Sequence, residues 1–230
     1  MSRTILRGRV LTFLDEPQGL EDTASYRYIE DGAVVIEDGK VVELTEYSPA
    51  LAAGSEVVDH RPHLIMPGFI DTHLHYVQSQ MIASWAGSLL EWLDKYTFVE
   101  EQKFVRQGHA EHVATAFYDE LIRHGTTTAV AYCSVHPQSV DAYFAEAGKR
   151  NMLMVGGKVM MDCHAPPGLC DTAETSYDDS KALIARWHGK GRALYAISPR
   201  FALTSSPAQM EAAQALVAEY PDCYMQTHLS

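Results

Sequence analysis

The chain has 230 residues, of which 47% are hydrophobic, and a formal net charge of −12 with histidine neutral. So acidic a surface repels phosphate backbones and anionic headgroups, which removes the electrostatic basis for binding nucleic acid or a membrane surface. No apolar run approaches the ~18 residues that cross a bilayer, and Gly8 with Asp15-Glu16 interrupts any signal-peptide core after Arg3 and Arg7. Cys133, Cys163, Cys170 and Cys223 form no Cys-x-x-Cys pair. They are expected as buried thiols of a reducing compartment, which makes a cytoplasmic protein the expectation.

Residues 1–62 read as β-structure. Arg9 to Phe13 is a short strand, Gly32 to Leu44 is two strands about Asp38-Gly39, and Val57-Val58-Asp59 is another. An Asp-Gly pair supplies the left-handed torsions of a tight hairpin. Pro62 is expected to mark the exit from this small sheet, dividing a domain of 1–62 from one of 63–230.

The second part alternates strand and helix. Leu64 to His73 is expected as its first strand, followed by an insertion containing Leu89-Leu90-Glu91-Trp92-Leu93. Val113, Ala116, Phe117 and Leu121 share one helical face, and Gly125 stands where that helix should stop. Thr126 to Tyr132 is a β-branched second strand. Ser139 is expected to cap the next helix, and Met152 to Met160 to form strand three. A helix lined by Leu183, Ile184 and Trp187 precedes strand four, Leu194 to Ile197. Ser206-Pro207-Ala208-Gln209 has the residues of a capped helix start, with Gln209 as a capping-box partner, and Cys223 to His228 is strand five.

Five strands separated by helices suit either a doubly wound sheet or part of a (β/α)8 barrel of the TIM type. Candidate site residues recur at the C-terminal ends of strands one, four and five, which a barrel gathers at one mouth. No Gly-rich phosphate loop follows strand one, as a nucleotide-binding sheet would require. An incomplete barrel is therefore the expected fold.

The chemistry concentrates in Pro67-Gly-Phe-Ile-Asp-Thr-His73-Leu-His75. Alternate side chains of a strand share a face, so His73 and His75 aim at one point, as a metal site needs. His228, at the end of strand five, is placed to join them. Arg200, in Ser198-Pro-Arg-Phe201, offers planar donors suited to the carbonyl edge of a heterocycle, and Phe201 a ring face. The same Arg would equally suit pairing with a carboxylate. Gln78 can donate and accept together, as a purine edge demands. His164, after strand three, is near enough in sequence to approach the pocket, and Trp92 is expected to pack the insertion.

With those landmarks stand Lys95-Tyr-Thr-Phe98, Gly125-Thr-Thr-Thr128, Gly157-Lys-Val-Met-Met-Asp162 and Thr227-His-Leu-Ser230. Together they resemble the bacterial-type guanine deaminases, in the zinc aminohydrolase branch of the amidohydrolase superfamily. The resemblance covers essentially the whole chain. It implies a homodimer hydrolysing guanine to xanthine and ammonia, with His73, His75 and His228 as ligands of Zn2+ (or iron). It also implies guanine binding by His75, Gln78, Arg200, Phe201 and His228, and a β-sandwich containing residues 1–62. In that family the sequence continues as His-x-x-Glu, so the acid/base would follow Ser230, and a further His, an Asp and three barrel strands come later. No catalytic acid/base is thus expected within the chain, and residues 1–230 alone are expected to deaminate negligibly. Two alternatives stay open: an inactive fragment acting only in binding, and an aminohydrolase of another purine or a pterin. Cys163-His164 departs from the pair that precedes Ala-Pro in the bacterial enzymes, which leaves the shape of that loop open.

Overall fold

The structure is a computed structural model, and it describes residues 3–229. Contacts divide the chain into two compact units, Met1–Pro67 and Gly68–Ser230.

The first unit is a four-stranded sheet of β1 (Arg3–Phe13), β2 (Tyr26–Glu37), β3 (Lys40–Glu46) and β4 (Glu56–Ile65) in the order β3-β2-β1-β4. β1 pairs antiparallel with β2 and parallel with β4. The hairpin at Asp38-Gly39 forms with positive φ at both residues, 49° and 79°, the torsions a two-residue turn of this hand requires. Alternation along the strands builds two small cores, one of Ile5, Ala33 and Val35, the other of Val10, Ile29 and Val34.

The second unit carries a parallel sheet. Its strands are β5 (Phe69–His75), β6 (Thr126–Tyr132), β7 (Leu153–Gly157), β8 (Val159–Met160), β9 (Ala193–Pro199) and β10 (Tyr224–Met225). The hydrogen-bonded order is β10-β9-β7-β6-β5, with β8 continuing β7 alongside β9. Spatial order follows chain order. A doubly wound sheet would reverse direction partway, whereas a barrel adds each strand beside the last; the sheet is five parallel strands of a half-barrel. Two short helices, α1 (Leu89–Trp92) and α2 (Phe98–Glu101), lie in the insertion. The crossovers are α3 (Gln107–Arg123), α4 (Pro137–Arg150), α5 (Ala173–Trp187) and α6 (Pro207–Glu219).

Between sheet and helices lies one large core in which Tyr76, Phe104, Phe117, Tyr118 and Tyr143 meet. Burying a phenol requires a partner for its hydroxyl. Tyr76 Oη donates to the Ser139 carbonyl at 2.6 Å, Tyr118 to that of Tyr143 and Tyr143 to that of Val155, both at 3.1 Å. These rings therefore tie α3, α4 and β7 together by backbone as well as by packing.

Several elements depart from the sequence expectation. β4 passes through Pro62 to Ile65, so Leu64 belongs to it; the strand bearing the histidine pair starts at Phe69, after Pro67-Gly68 interrupts pairing. α4 starts at Pro137, with His136 at the cap, because a proline at the first helical position loses no hydrogen bond. Ser139 lies inside that helix and its Oγ accepts from Ser134 N at 3.0 Å. Strand three breaks at Lys158, whose fully buried ammonium pairs with Asp171. Ser206 caps α6 as expected, but the Gln209 side chain reaches Ser176 Oγ at 2.9 Å instead of closing a capping box. Strand five shortens to Tyr224–Met225, and a bridge between Phe201 and His228 continues its pairing.

Gly157 ends β7 where β9 crosses so closely that an added Cβ would lie 1.9 Å from the Ala196 carbonyl oxygen. Gly157→Ala is expected to cost about 1–3 kcal/mol, the usual range for overpacking. Gly108→Ala, in an open position on α3, should be neutral or stabilising by up to about 1 kcal/mol. Urea unfolding of both variants checks this; equal stability would contradict the β7–β9 register.

Candidate metal centre

The first histidine pair is placed by a bulge. Asp71 pairs with Ala129 and Leu74 with Ala131, so β5 spends three steps against two in β6. Asp71 Oδ1 accepts from His73 N at 3.0 Å and pins the distortion. Bulges re-aim side chains at strand ends, and here both rings turn to one point. The His73 and His75 centroids are 5.5 Å apart, and His228 lies 4.9 Å from the first and 5.1 Å from the second. One nitrogen from each of the three rings falls within 4.8 Å of the others. The strand ends meet as the parallel order requires.

The tautomer at His228 follows from its neighbour. Its Nδ1 lies 2.7 Å from the Arg200 carbonyl, and a carbonyl only accepts, so Nδ1 carries the proton and the Nε2 lone pair is free. That Nε2 is 3.0 Å from His75 Nε2. Burial, with Arg200 and the other two imidazoles adding to it, pushes His75 down to about 2. Burial likewise lowers His228, against the opposing pull of the Arg200 carbonyl. Two neutral imidazoles with Nε2 atoms converging, one anchored through Nδ1, are the donor chemistry of a zinc-type ion. His73, His75 and His228 could hold one.

Tyr132, at the end of β6, roofs the cluster. Its ring stacks on His75 at 4.6 Å and on His228 at 4.5 Å. Burial raises its hydroxyl to about 12, and among the described residues Oη has no hydrogen-bond partner. A second group of possible donors, His188, Asp222 and Cys223, lies near the N-terminal ends of β9 and β10. There His188 Nδ1 accepts from Tyr195 N at 3.0 Å, so the proton sits on Nε2, which faces Asp222 at 3.2 Å. Neither nitrogen has a free lone pair for an ion, and the trio reads as a latch between α5 and the strand starts.

Beside the imidazoles lies a polar cluster. Arg200 is 4% exposed and pairs with Glu101, which is 1% exposed. Arg200 Nη1 donates to Glu101 Oε2 at 2.5 Å and Nη2 to Oε1 at 3.1 Å. Gln78 Nε2 donates to the same Oε1 at 2.9 Å. Phe98, also from the insertion, lies 5.8 Å from the guanidinium. The structure shows the carboxylate-paired reading of Arg200, and its carbonyl bonded to His228 places the pair beside the imidazoles. Phe201 stands next to it, half-buried.

Among the described residues, a cavity of about 560 Å³ opens on the flank of β5, bounded by His73, His75, Gln78, Trp92 and Phe117. Trp92 forms part of its wall and donates to the Ser84 carbonyl at 3.2 Å. His164 is exposed and is not among the three clustered histidines; its Nδ1 lies 2.6 Å from the Leu203 carbonyl. Glu101 and Tyr132 are the residues that sequence reading passed over. A buried arginine demands a carboxylate, which signals the existence of a Glu101 but not its position. Tyr132 gave no signal beyond ending a strand.

The sequence model of the amidohydrolase family matches residues 64–230. Guanine deaminase of Escherichia coli (strain K12) is 49% identical over 219 residues, which cover 94% of this chain and 49% of that protein. The solved structure of E. coli guanine deaminase superposes with a TM-score of 0.94 at 47% identity, over 98% of this chain and 53% of that one. Guanine deaminase from C. acetobutylicum, solved with guanine in its active site, gives a TM-score of 0.87 at 27% identity, over 100% of this chain and 53% of that one. The chain spans about half the length of the curated relatives it matches. A family match over most of the chain, on a half-barrel whose strand ends gather three histidines, shows that the chain belongs to the amidohydrolase family.

Proposed function

We propose that the protein hydrolyses guanine to xanthine and ammonia at a metal held by His73, His75 and His228. The observation that carries this reading is the convergence of those imidazoles beside the Gln78–Glu101–Arg200 cluster. The similarity to guanine deaminases supports the substrate. A bound divalent metal supplies Lewis acidity and lowers the pKa of water to about 7. Imidazole nitrogens suit zinc, and iron also.

The chain's own residues orient the substrate. Arg200 offers guanidinium donors to a purine carbonyl, Gln78 an amide, and Phe201 a ring face, with His75 and His228 closing the side nearest the reacting carbon. Burial of Arg200 keeps water from competing for those donors, so a ligand without the matching carbonyl leaves them unpaired and is rejected. Proton transfer is not assigned to any residue of 3–229. We also place the first sheet, which runs on past residue 62 to Ile65, in part of a β-sandwich domain, and the strands and helices from Phe69 on in five β/α units. Four free thiols fit a cytoplasmic setting, and the homodimer is proposed on the family resemblance alone.

The metal-loaded full-length protein is expected to turn over guanine at least about 10⁴-fold faster than adenine, the scale at which unpaired buried donors discriminate, and faster than pterin, which carries the same carbonyl edge. Absence of guanine turnover, with turnover of one of the others, would sink the reading. His75→Ala is expected to lower bound metal, measured by elemental analysis, and to cut turnover by more than about 100-fold, the upper end of what changes behind the ligands cost. Full metal occupancy in that variant would remove His75 from the ligand set.

A further inference from the structure

Glu101 belongs to the insertion between β5 and α3, far in sequence from the two residues it joins. Its carboxylate is an acceptor only. Gln78 must therefore present its NH2 to Glu101 Oε1, 2.9 Å away, which turns the Gln78 carbonyl oxygen away from Glu101. An amide free to flip would offer donor or acceptor indifferently; this one is fixed. Guanine carries an exocyclic amine donor beside its O6 acceptor, whereas adenine carries its amine where guanine has the carbonyl. An acceptor at Gln78 and donors at Arg200 match the guanine arrangement.

Charge gives the second half of the argument. Arg200 is almost fully buried, and its fork is engaged twice by Glu101. A buried guanidinium without a counter-charge is costly and recruits an anion. Paired, it contributes directed N–H groups with its charge cancelled. The substrate of the proposed reaction is a neutral oxopurine, and its product ionises more readily. A site that cancels the charge of Arg200 favours the first.

We propose that Glu101 is a positioning residue for purine recognition: it locks Gln78 as an acceptor and neutralises Arg200, so that the pocket selects neutral over anionic oxopurines. The proposal rests on the guanine reading above and adds to it a residue, and a charge preference, outside the set of substrate contacts.

The test uses the full-length metal-loaded protein and two competitive probes at neutral pH, hypoxanthine, which is neutral, and urate, an anion. Glu101→Gln is expected to raise the guanine KM by about 10- to 100-fold, the cost of losing hydrogen bonds to a charged group. In the same variant urate inhibition should tighten by about 10-fold while hypoxanthine inhibition weakens. General damage to the fold would weaken both. Glu101→Asp keeps the charge, so it should retain the parent's order of preference while KM rises and kcat is kept. It also carries the question should Glu101→Gln not fold. Urate inhibition that fails to tighten in Glu101→Gln, or a loss confined to kcat in Glu101→Asp, would overturn the role of Glu101. A parent protein that does not deaminate guanine would overturn the functional reading, and this proposal with it.

Discussion

Arg200 joins the two parts of the site. Its carbonyl accepts from both the backbone N–H and the Nδ1 of His228, at 3.0 and 2.7 Å, which fixes the ring and its tautomer. Its guanidinium is held by Glu101, and through Glu101 it is coupled to Gln78. One residue just past β9 thus orients the His228 ring with its backbone and the Glu101–Gln78 pair with its side chain. Displacing the segment would disturb the imidazole cluster and the polar cluster together. The bridge between Phe201 and His228 makes this coupling part of the sheet rather than of a loose loop.

That arrangement depends on parallel order. Strands added one after another, each by a helical crossover, must all end at the same rim. β5 delivers His75 there, β6 Tyr132, β9 Arg200, and the end of β10 His228. The buried tyrosines of the helical layer, each bonded to a neighbouring backbone carbonyl, keep the first crossovers in register beneath that rim. The helical insertion after β5 then brings Glu101 and Phe98 over the rim, where they meet an arginine ninety-nine positions away in sequence.

The strand–helix alternation and the histidine pair were legible because each is written locally, in hydrophobic period and in a short motif. Strand order was not: periodicity marks a strand but not its neighbour, and only the pairing β5-β6-β7-β9-β10 separates a half-barrel from a doubly wound sheet. Expected strand three hid a break at Lys158, since nothing local shows that an ammonium there turns inward to Asp171. The bulge that aims His73 was equally hidden, because alternation predicts a regular strand. Glu101 is the instructive omission. With 30 acidic residues in the chain, a requirement for one carboxylate at Arg200 identifies no particular one until the fold brings it there.

The central claim is that one rim holds a metal and a purine through residues of these strand ends. The most direct measurement is a crystal structure of the full-length protein with its metal and guanine. The account predicts an ion at roughly 2.0–2.2 Å from nitrogens of His73, His75 and His228, with the guanine carbonyl facing Arg200 and the Glu101 pair intact. An ion held elsewhere, or guanine bound away from Arg200 and Gln78, would contradict it.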